Sequence, residues 1–315
     1  MSIAGFRSRE MDLYQDLMRH VQDKTEQVSR GQAISIRDTL ELAREVRRDF
    51  QDLMGLLDIC TGYYNAADLV VSHVVNVALF ALKMAVDMKL PGQQIEDTLV
   101  SGLLHDIGFG TVPAFGLDID ALLLVESEME RLVRDTDQAV VQGHSEAGSK
   151  AVAPETDQAR RVAEIIWQHH ERADGKGYPR GLKEAGQQVV SRILAITDIY
   201  EALVHPRPFR DALVPPRGIE AIVHGRPGAF SPRMLKELLR SLPPFPVGYH
   251  VRLSDGSIAR VLNTNVDAPL RPDVELLADG AGEAATGQQE IRLRDCPLIF
   301  ITECLPRFTA GDAAR

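Results

Sequence analysis

The chain has 315 residues, of which 44% are hydrophobic, and a formal net charge of −10 at pH 7. This length suits one large domain with a smaller appendage, and the composition is ordinary for a globular protein. General nucleic-acid binding depends on a basic surface that releases counterions, so the acidic balance predicts no nucleic-acid partner. The three cysteines, Cys60, Cys296 and Cys304, are too scattered for a disulfide framework or a zinc ribbon, which favours a reducing, cytoplasmic compartment.

The N-terminal sequence and the apolar runs both argue against a membrane protein. The first ten residues lack the apolar core of a signal peptide. The longest apolar stretch, residues 69–86, is interrupted by Ser72, His73, Asn76 and Lys83. A membrane-spanning helix needs about 20 consecutive, mostly apolar residues. The sequence therefore predicts no membrane partner.

Residues 1–61 are predicted to form an N-terminal helical region, because apolar residues recur there at steps of three and four. Two stripes carry the pattern, one over residues 14–21 and one over residues 36–57. One interpretation is that these helices pack on the domain that follows. The other is a helical hairpin that forms a homodimer or passes a signal to partner proteins, because the second stripe is close to a heptad repeat.

Residues 62–243 keep a helical pattern and are predicted to form the main domain. After Pro243-Pro244 the apolar residues alternate with polar ones, which is typical of strands. We therefore predict a small β-rich subdomain over residues 244–305 and a disordered tail over residues 306–315. The predicted fold class is mainly α, with the main helical domain between the N-terminal helical region and the β-rich subdomain.

The main domain contains an ordered set of side chains that can bind metal ions. A lone buried histidine is usually a hydrogen-bonded core residue, but a mixed set of imidazoles and carboxylates is typical of zinc, iron or manganese sites. The predicted metal ligands are His73, His105, Asp106, His144, His169, His170 and Asp198. Asp106 is the predicted catalytic residue, because a carboxylate has one oxygen for each of two ions. Two metal ions about 3.5 to 4 Å apart can generate a hydroxide and hold a phosphoryl group for in-line displacement.

The two adjacent histidines run into a glycine-rich loop that ends in Gly177-Tyr178-Pro179. Together with the upstream residues this loop resembles the HD-GYP domain, a branch of the HD phosphohydrolase superfamily. The resemblance covers roughly residues 70–245. It is carried by His73, His105–Gly108, His144 with Gly148, His169–Leu182, Asp198–Leu203 and Arg207–Arg210. It implies a helical HD-type domain, a cluster of two or three metal ions, and hydrolysis of the bacterial second messenger cyclic di-GMP to pGpG or GMP.

Two positions depart from the family pattern. The family usually has a lysine after His-Asp-Ile-Gly, thought to contact substrate phosphate, where this chain has Phe109. Members with a third metal carry a glutamate one helical turn before the leading histidine, where this chain has Leu69. The resemblance therefore implies two divalent ions rather than three. Iron and manganese are the expected metals, and zinc, nickel and cobalt are alternatives that the ligand types also accept.

The resemblance also implies where substrate binds. Arg207 and Arg210 fall where the family places phosphate-contacting basic residues, and a guanidinium suits bidentate phosphate recognition. The alternative is a solvated or salt-bridged surface pair. Tyr178, Pro179 and Lys176 in the loop are the other predicted substrate contacts.

Three functional hypotheses remain open from the sequence. The first is a cytoplasmic phosphodiesterase in which a metal-bridging hydroxide attacks cyclic di-GMP. The second is a signalling module that binds metal and ligand but turns over weakly or not at all, which Phe109 favours. The third is hydrolysis of another phosphate ester or a hybrid cyclic dinucleotide by the same cluster.

Overall fold

The structure is a computed structural model, and it describes residues 8–49, 55–62, 69–111, 135–207, 210–285 and 289–305. Within these ranges the helices are α1 (Ser8–Ser29), α2 (Arg37–Asp49), α3 (Gly55–Gly62), α4 (Leu69–Asp87), α5 (Gly92–Leu104), α6 (Asp135–Ala151), α7 (Asp157–Gln168), α8 (Val189–Val204), α9 (Pro215–Gly225) and α10 (Pro232–Ser241). Short 3-10 turns cover Ile107–Thr111, Glu184–Gly186 and Leu293–Asp295. The predicted disordered tail lies outside the described residues.

In the part of the chain that the structure describes, five strands follow the helices. They are β1 (His250–Leu253), β2 (Ile258–Asn263), β3 (Asp273–Ala278), β4 (Glu290–Arg292) and β5 (Ile301–Leu305), in the order β4-β3-β2-β1-β5. All four pairings are antiparallel. The predicted fold class, mainly α with a small β-rich C-terminal part, is confirmed.

The chain separates into two compact units, Met1–Ala212 with Gly225–Met234, and Leu213–His224 with Leu235–Arg315. The second unit contains the sheet, whose core is formed by alternate strand residues such as Val251, Val261 and Val274. The first unit contains the N-terminal helices together with every predicted metal ligand. The domain boundaries at 61/62 and 243/244 stay predictions.

Helix α4 is the centre of the first unit. It is apolar nearly all round, and it packs against α1, α3, α5 and α8. By length and composition it could cross a membrane, but 78% of its apolar window is buried in the fold, as in the core helix of a globular domain. The predicted ligand His73 lies within α4 and is buried.

The N-terminal helices pack on the rest of the first unit. The apolar stripe of α1, including Tyr14, Leu17 and Val21, is buried against α4 and the turn Ile107–Thr111. Helix α2 packs against α5. The structure therefore shows the first interpretation, in which these helices pack on the domain that follows. A homodimer through them and signalling partners stay predictions.

Candidate metal centre

The structure brings all seven predicted metal ligands to one buried place. Helices α4, α6 and α8 supply His73, His144 and Asp198 from their interiors. The pairs His105-Asp106 and His169-His170 follow directly after the last residues of α5 and α7. All seven residues are buried. The helix ends matter because the chain leaves the helix there, which allows consecutive side chains to point to the same cluster.

One oxygen of Asp106 faces a first group of imidazoles. Asp106 Oδ1 lies 3.3 Å from His144 Nε2 and 3.6 Å from His169 Nε2. The Nε2 atom of His144 is in turn 3.2 Å from His169 Nε2 and 3.0 Å from His170 Nε2. These four side chains form a set whose ligand atoms all lie within 4.8 Å of one another.

The other oxygen of Asp106 faces a second group. Asp106 Oδ2 lies 3.4 Å from His105 Nε2 and 3.8 Å from His73 Nε2. The Nε2 atom of His73 is 3.1 Å from Asp198 Oδ1, so Asp198 adds a carboxylate to this group. The other oxygen of Asp198 is 3.9 Å from His170 Nδ1. The two groups therefore share one carboxylate, with one oxygen directed at each.

Backbone carbonyls fix the orientation of two of the imidazoles. His105 Nδ1 donates to the carbonyl of Gly102 at 2.8 Å, and His169 Nδ1 donates to the carbonyl of Ile166 at 2.6 Å. Each acceptor is one of the free carbonyls at the end of a helix, three residues before the histidine. Because Nδ1 carries the proton in each ring, the lone pair of Nε2 is directed into the cluster.

The polar atoms of the cluster fit divalent cations. His105 Nε2 is buried and has no hydrogen-bond partner among the described residues, which is costly unless a cation accepts its lone pair. Burial and neighbouring imidazoles lower the pKa values of His169 and His170, which keeps both rings neutral and able to bind metal. Burial would raise the pKa of Asp106, but the neighbouring imidazoles of His105, His144 and His169 hold it well below its usual value.

Sequence reasoning missed Glu201, the carboxylate that orients His73. Glu201 lies one helical turn after Asp198 on α8, and its Oε2 accepts a hydrogen bond from His73 Nδ1. Burial would lower the pKa of His73, but the charge of Glu201 and hydrogen bonds to Asp198 and Glu201 raise it to about 10, so metal binding at Nε2 would displace a proton. A carboxylate behind a ligating histidine is the usual way to fix its tautomer. The spacing Asp198-x-x-Glu201, which places both on one helix face, was the available signal.

Three more side chains hold Glu201. Its Oε1 accepts from Asn76 Nδ2 at 3.1 Å and from His205 Nδ1 at 3.0 Å, and its Oε2 accepts from the Arg207 guanidinium at 2.8 Å. Burial opposes ionisation of Glu201, but the charges of His73, His205 and Arg207 hold its pKa well below the usual value. Glu201 is thus an anion enclosed by donors.

The two predicted phosphate-binding arginines have other partners in the structure. Arg207 is buried, and its guanidinium donates to Glu201. Arg210 donates to the carbonyls of Ala202 and Leu203 at the end of α8 and to that of Asp211. Substrate contact by either arginine stays a prediction.

Glycines allow two close approaches at the cluster. A Cβ atom on Gly108 would lie 1.9 Å from the carbonyl oxygen of His144, so only glycine lets the turn after Asp106 reach α6. A Cβ atom on Gly177 would lie 2.4 Å from both the carbonyl oxygen of His170 and the amide nitrogen of Arg172. The glycine-rich loop can therefore fold back against the histidine pair.

The same loop is fastened by a buried carboxylate and presents the remaining predicted substrate contacts. Glu171 accepts from the amides of Arg180 and Leu182 at 2.8 and 2.7 Å, which gives it a structural role. The Tyr178 ring stacks on His170 with centroids 4.6 Å apart. Lys176 and Pro179 are exposed.

Phe109 takes a structural position beside the first group. Its ring is buried and stacks on His144, with centroids 4.2 Å apart and planes 13° apart. It also borders a cavity of about 230 Å³ that reaches Asp106 and is walled by α1 residues Val21, Thr25 and Ser29.

Family profiles match both parts of the chain. The profile described as "HD domain" matches residues 63–226, slightly more than half of the chain. The chain belongs to the HD domain family. This confirms the family predicted from the motif residues. A second profile, described as a "KOW domain associated with HD domain", matches residues 250–308, beyond the HD domain.

Curated relatives of this HD domain protein are similar over part of their length. A cyclic di-GMP phosphodiesterase of Pseudomonas aeruginosa is 26% identical over 267 residues, which are 84% of this chain and 61% of that protein. A cyclic di-GMP phosphodiesterase of Borreliella burgdorferi is 22% identical over 212 residues, 67% of this chain and 53% of that protein. A 3'3'-cGAMP-specific phosphodiesterase of Vibrio cholerae is 30% identical over 141 residues, 45% of this chain and 30% of that protein. The chain thus spans between about a third and three fifths of these relatives.

A solved structure also resembles this HD domain protein. A HDG"Y"P protein from Bdellovibrio bacteriovorus matches with a TM-score of 0.59 at 16% sequence identity, over 76% of this chain and 73% of that one. At this identity the likeness shows a common fold.

Proposed function

We propose that this chain is a metal-dependent phosphodiesterase that hydrolyses cyclic di-GMP to pGpG, GMP or both. The observation that carries the proposal is the arrangement at Asp106, whose two oxygens face two separate groups of buried imidazoles. The relatives described above are named as cyclic di-GMP or 3'3'-cGAMP phosphodiesterases.

Two divalent ions would fit the two groups. The first would be held by Asp106, His144, His169 and His170, and the second by Asp106, His73, His105 and Asp198. Iron and manganese are the proposed metals, and zinc, nickel and cobalt remain alternatives. Ions held in this way polarise phosphate oxygens and activate water near neutral pH.

The side chains of the domain have distinct roles in this proposal. Asp106 spaces the two groups and stays ionised, because neighbouring imidazoles hold its pKa low. Glu201 and the backbone carbonyls hold the imidazoles with Nε2 directed inward. In the glycine-rich loop, Lys176 is an exposed cation, and Tyr178 beside His170 offers a ring against which a base can stack.

Two basic residues of the loop have other partners and do not replace the missing family lysine. Arg172 is buried and donates to the carbonyls of His169 and Glu171. Arg180 stacks over Trp167 at 4.2 Å and pairs with Glu164. Lys176 is therefore the loop cation that we propose for phosphate contact.

A second candidate function is supported by Phe109. Its buried ring occupies the position of the family lysine, so the site lacks that phosphate contact. The alternative is a weakly active or inactive module that binds metal and cyclic dinucleotide and signals through partner proteins. The proposed location in either case is the bacterial cytoplasm, in keeping with three free cysteines.

An anaerobic assay distinguishes these functions. Purified protein loaded with iron or manganese is incubated with cyclic di-GMP or 3'3'-cGAMP, and products are separated by chromatography. We expect linear product from cyclic di-GMP, abolished by a chelator and restored by metal. Preference for 3'3'-cGAMP would reassign the substrate. Saturable binding of cyclic di-GMP without product at full metal loading would establish the signalling module instead.

A further inference from the structure

A continuous chain of buried hydrogen bonds links the N-terminal helix to a metal ligand. On α1, the hydroxyl of Tyr14 donates to Asn76 Oδ1 at 2.8 Å. Asn76 Nδ2 donates to Glu201 Oε1 at 3.1 Å, and Glu201 Oε2 accepts from His73 Nδ1. All four side chains are buried, with Tyr14 fully so.

The donors and acceptors in this series of hydrogen bonds can be arranged in only one way. An ionised carboxylate only accepts hydrogen bonds, so Asn76 must present its amide nitrogen to Glu201. Its amide oxygen then faces Tyr14 and needs a donor, which the phenol O–H supplies. Without that donor the amide oxygen would be buried and unsatisfied, and the reversed amide would place oxygen against carboxylate.

Helix α1, which carries Tyr14 at one end of this series of hydrogen bonds, is fixed by its own packing. It packs on α4 and on the turn Ile107–Thr111. The contact is close, because a Cβ atom on Gly110 would lie 2.8 Å from the carbonyl oxygen of Thr25. The position of Tyr14 is therefore set by packing that is independent of Asn76.

From this geometry we propose that Tyr14 is a positioning residue for the metal centre, acting on His73 through Asn76 and Glu201. The N-terminal helix is then a working part of the site. Any shift of α1 that moves Tyr14 changes the orientation of His73 and the affinity for the second ion. This inference rests on the proposed metal centre.

The test compares Co²⁺ binding by the metal-free full chain and its Tyr14→Phe variant. Titration under anaerobic conditions is followed by the visible absorption of bound Co²⁺, which reports both affinity and ligand geometry. Phenylalanine keeps the ring and removes only the donor. We expect the ion near His73 to bind about 10-fold more weakly and to show an altered spectrum. This is the lower end of the range for residues that hydrogen-bond to a metal ligand.

A matched variant separates this effect from general destabilisation of α1. His20 on α1 bonds to the hydroxyl of Thr39 on α2 at 2.8 Å, away from the cluster. Thr39→Val removes this partly buried hydrogen bond between α1 and α2 and should leave Co²⁺ affinity and spectrum unchanged. Circular dichroism and thermal unfolding confirm that each variant is folded.

A double variant tests the route. If Tyr14 acts through Asn76, then Tyr14→Phe added to Asn76→Leu has no further effect on Co²⁺ affinity. Should Asn76→Leu not fold, the comparison of Tyr14→Phe with Thr39→Val decides alone. Wild-type affinity and spectrum in folded Tyr14→Phe would overturn the inference. Absence of Co²⁺ binding by wild type would instead overturn the proposed metal centre.

Discussion

Replacement of Asp106 by alanine is expected to remove both metal ions and to lower the rate of cyclic di-GMP hydrolysis by more than about 100-fold, beyond the usual effect of an outer-shell partner. The reason is geometric. Asp106 Oδ1 faces His144 and His169, and Oδ2 faces His73 and His105. Loss of this one side chain therefore takes a ligand from both groups at once. Elemental analysis of protein purified without chelators measures the result.

Asp198 provides a matched comparison for Asp106. Its Oδ1 lies 3.1 Å from His73 Nε2, and neither oxygen approaches His144 or His169 in the contacts described. Asp198→Ala should therefore retain the ion held by Asp106, His144, His169 and His170, with about half of the wild-type metal content. Full metal content and activity in Asp106→Ala would contradict the assignment of Asp106 as the shared ligand.

The second large effect is expected at Glu201. Glu201→Gln should lower metal affinity by about 10- to 100-fold, because the amide no longer fixes His73 as the carboxylate does. The substitution also leaves the buried Arg207 and His205 without their anion. Removal of one partner of a buried ion pair costs about 3 to 5 kcal/mol, so the free energy of unfolding of the metal-free protein should fall by a similar amount.

Asp97→Asn is the control for Glu201→Gln. Asp97 is also buried, and it pairs with Arg161 at 3.0 Å and Gln158 at 2.8 Å, outside the metal-ligand groups. We expect it to lose stability in urea unfolding but to keep wild-type metal affinity in calorimetric titration. Equal metal affinity in Glu201→Gln and Asp97→Asn would show that Glu201 does not orient the ligand.

The fold class and the predicted ligand set were accessible from the sequence for physical reasons. Helical periodicity shows which face of a segment is buried, and the alternation after residue 243 indicates strands. The structure brings the seven predicted ligands together, although metal binding by them stays a prediction. Their motif spacing was informative because His105-Asp106 and His169-His170 each follow the end of a helix.

The residues that hydrogen-bond to the predicted metal ligands could not be predicted from the sequence. Asn76 and Glu201 meet because α4 and α8 pack together, and periodicity alone does not show which helices are neighbours. The same holds for Tyr14, which reaches Asn76 from 62 residues away. Arg207 was predicted as a phosphate contact from its position in the motif. Its ion pair with Glu201 forms because the chain after α8 turns back towards that helix, which the motif does not show.

The central claim, that Asp106 and the imidazoles around it would hold two ions that support hydrolysis of a cyclic dinucleotide, is tested most directly by a metal titration. Metal-free protein is titrated anaerobically with Mn²⁺ while hydrolysis of cyclic di-GMP is measured. We predict no hydrolysis without metal and a rate that rises to a plateau at about two ions per chain, as expected for a two-metal site. Turnover by the metal-free protein, or no turnover at any loading with manganese, iron or zinc, would contradict the claim.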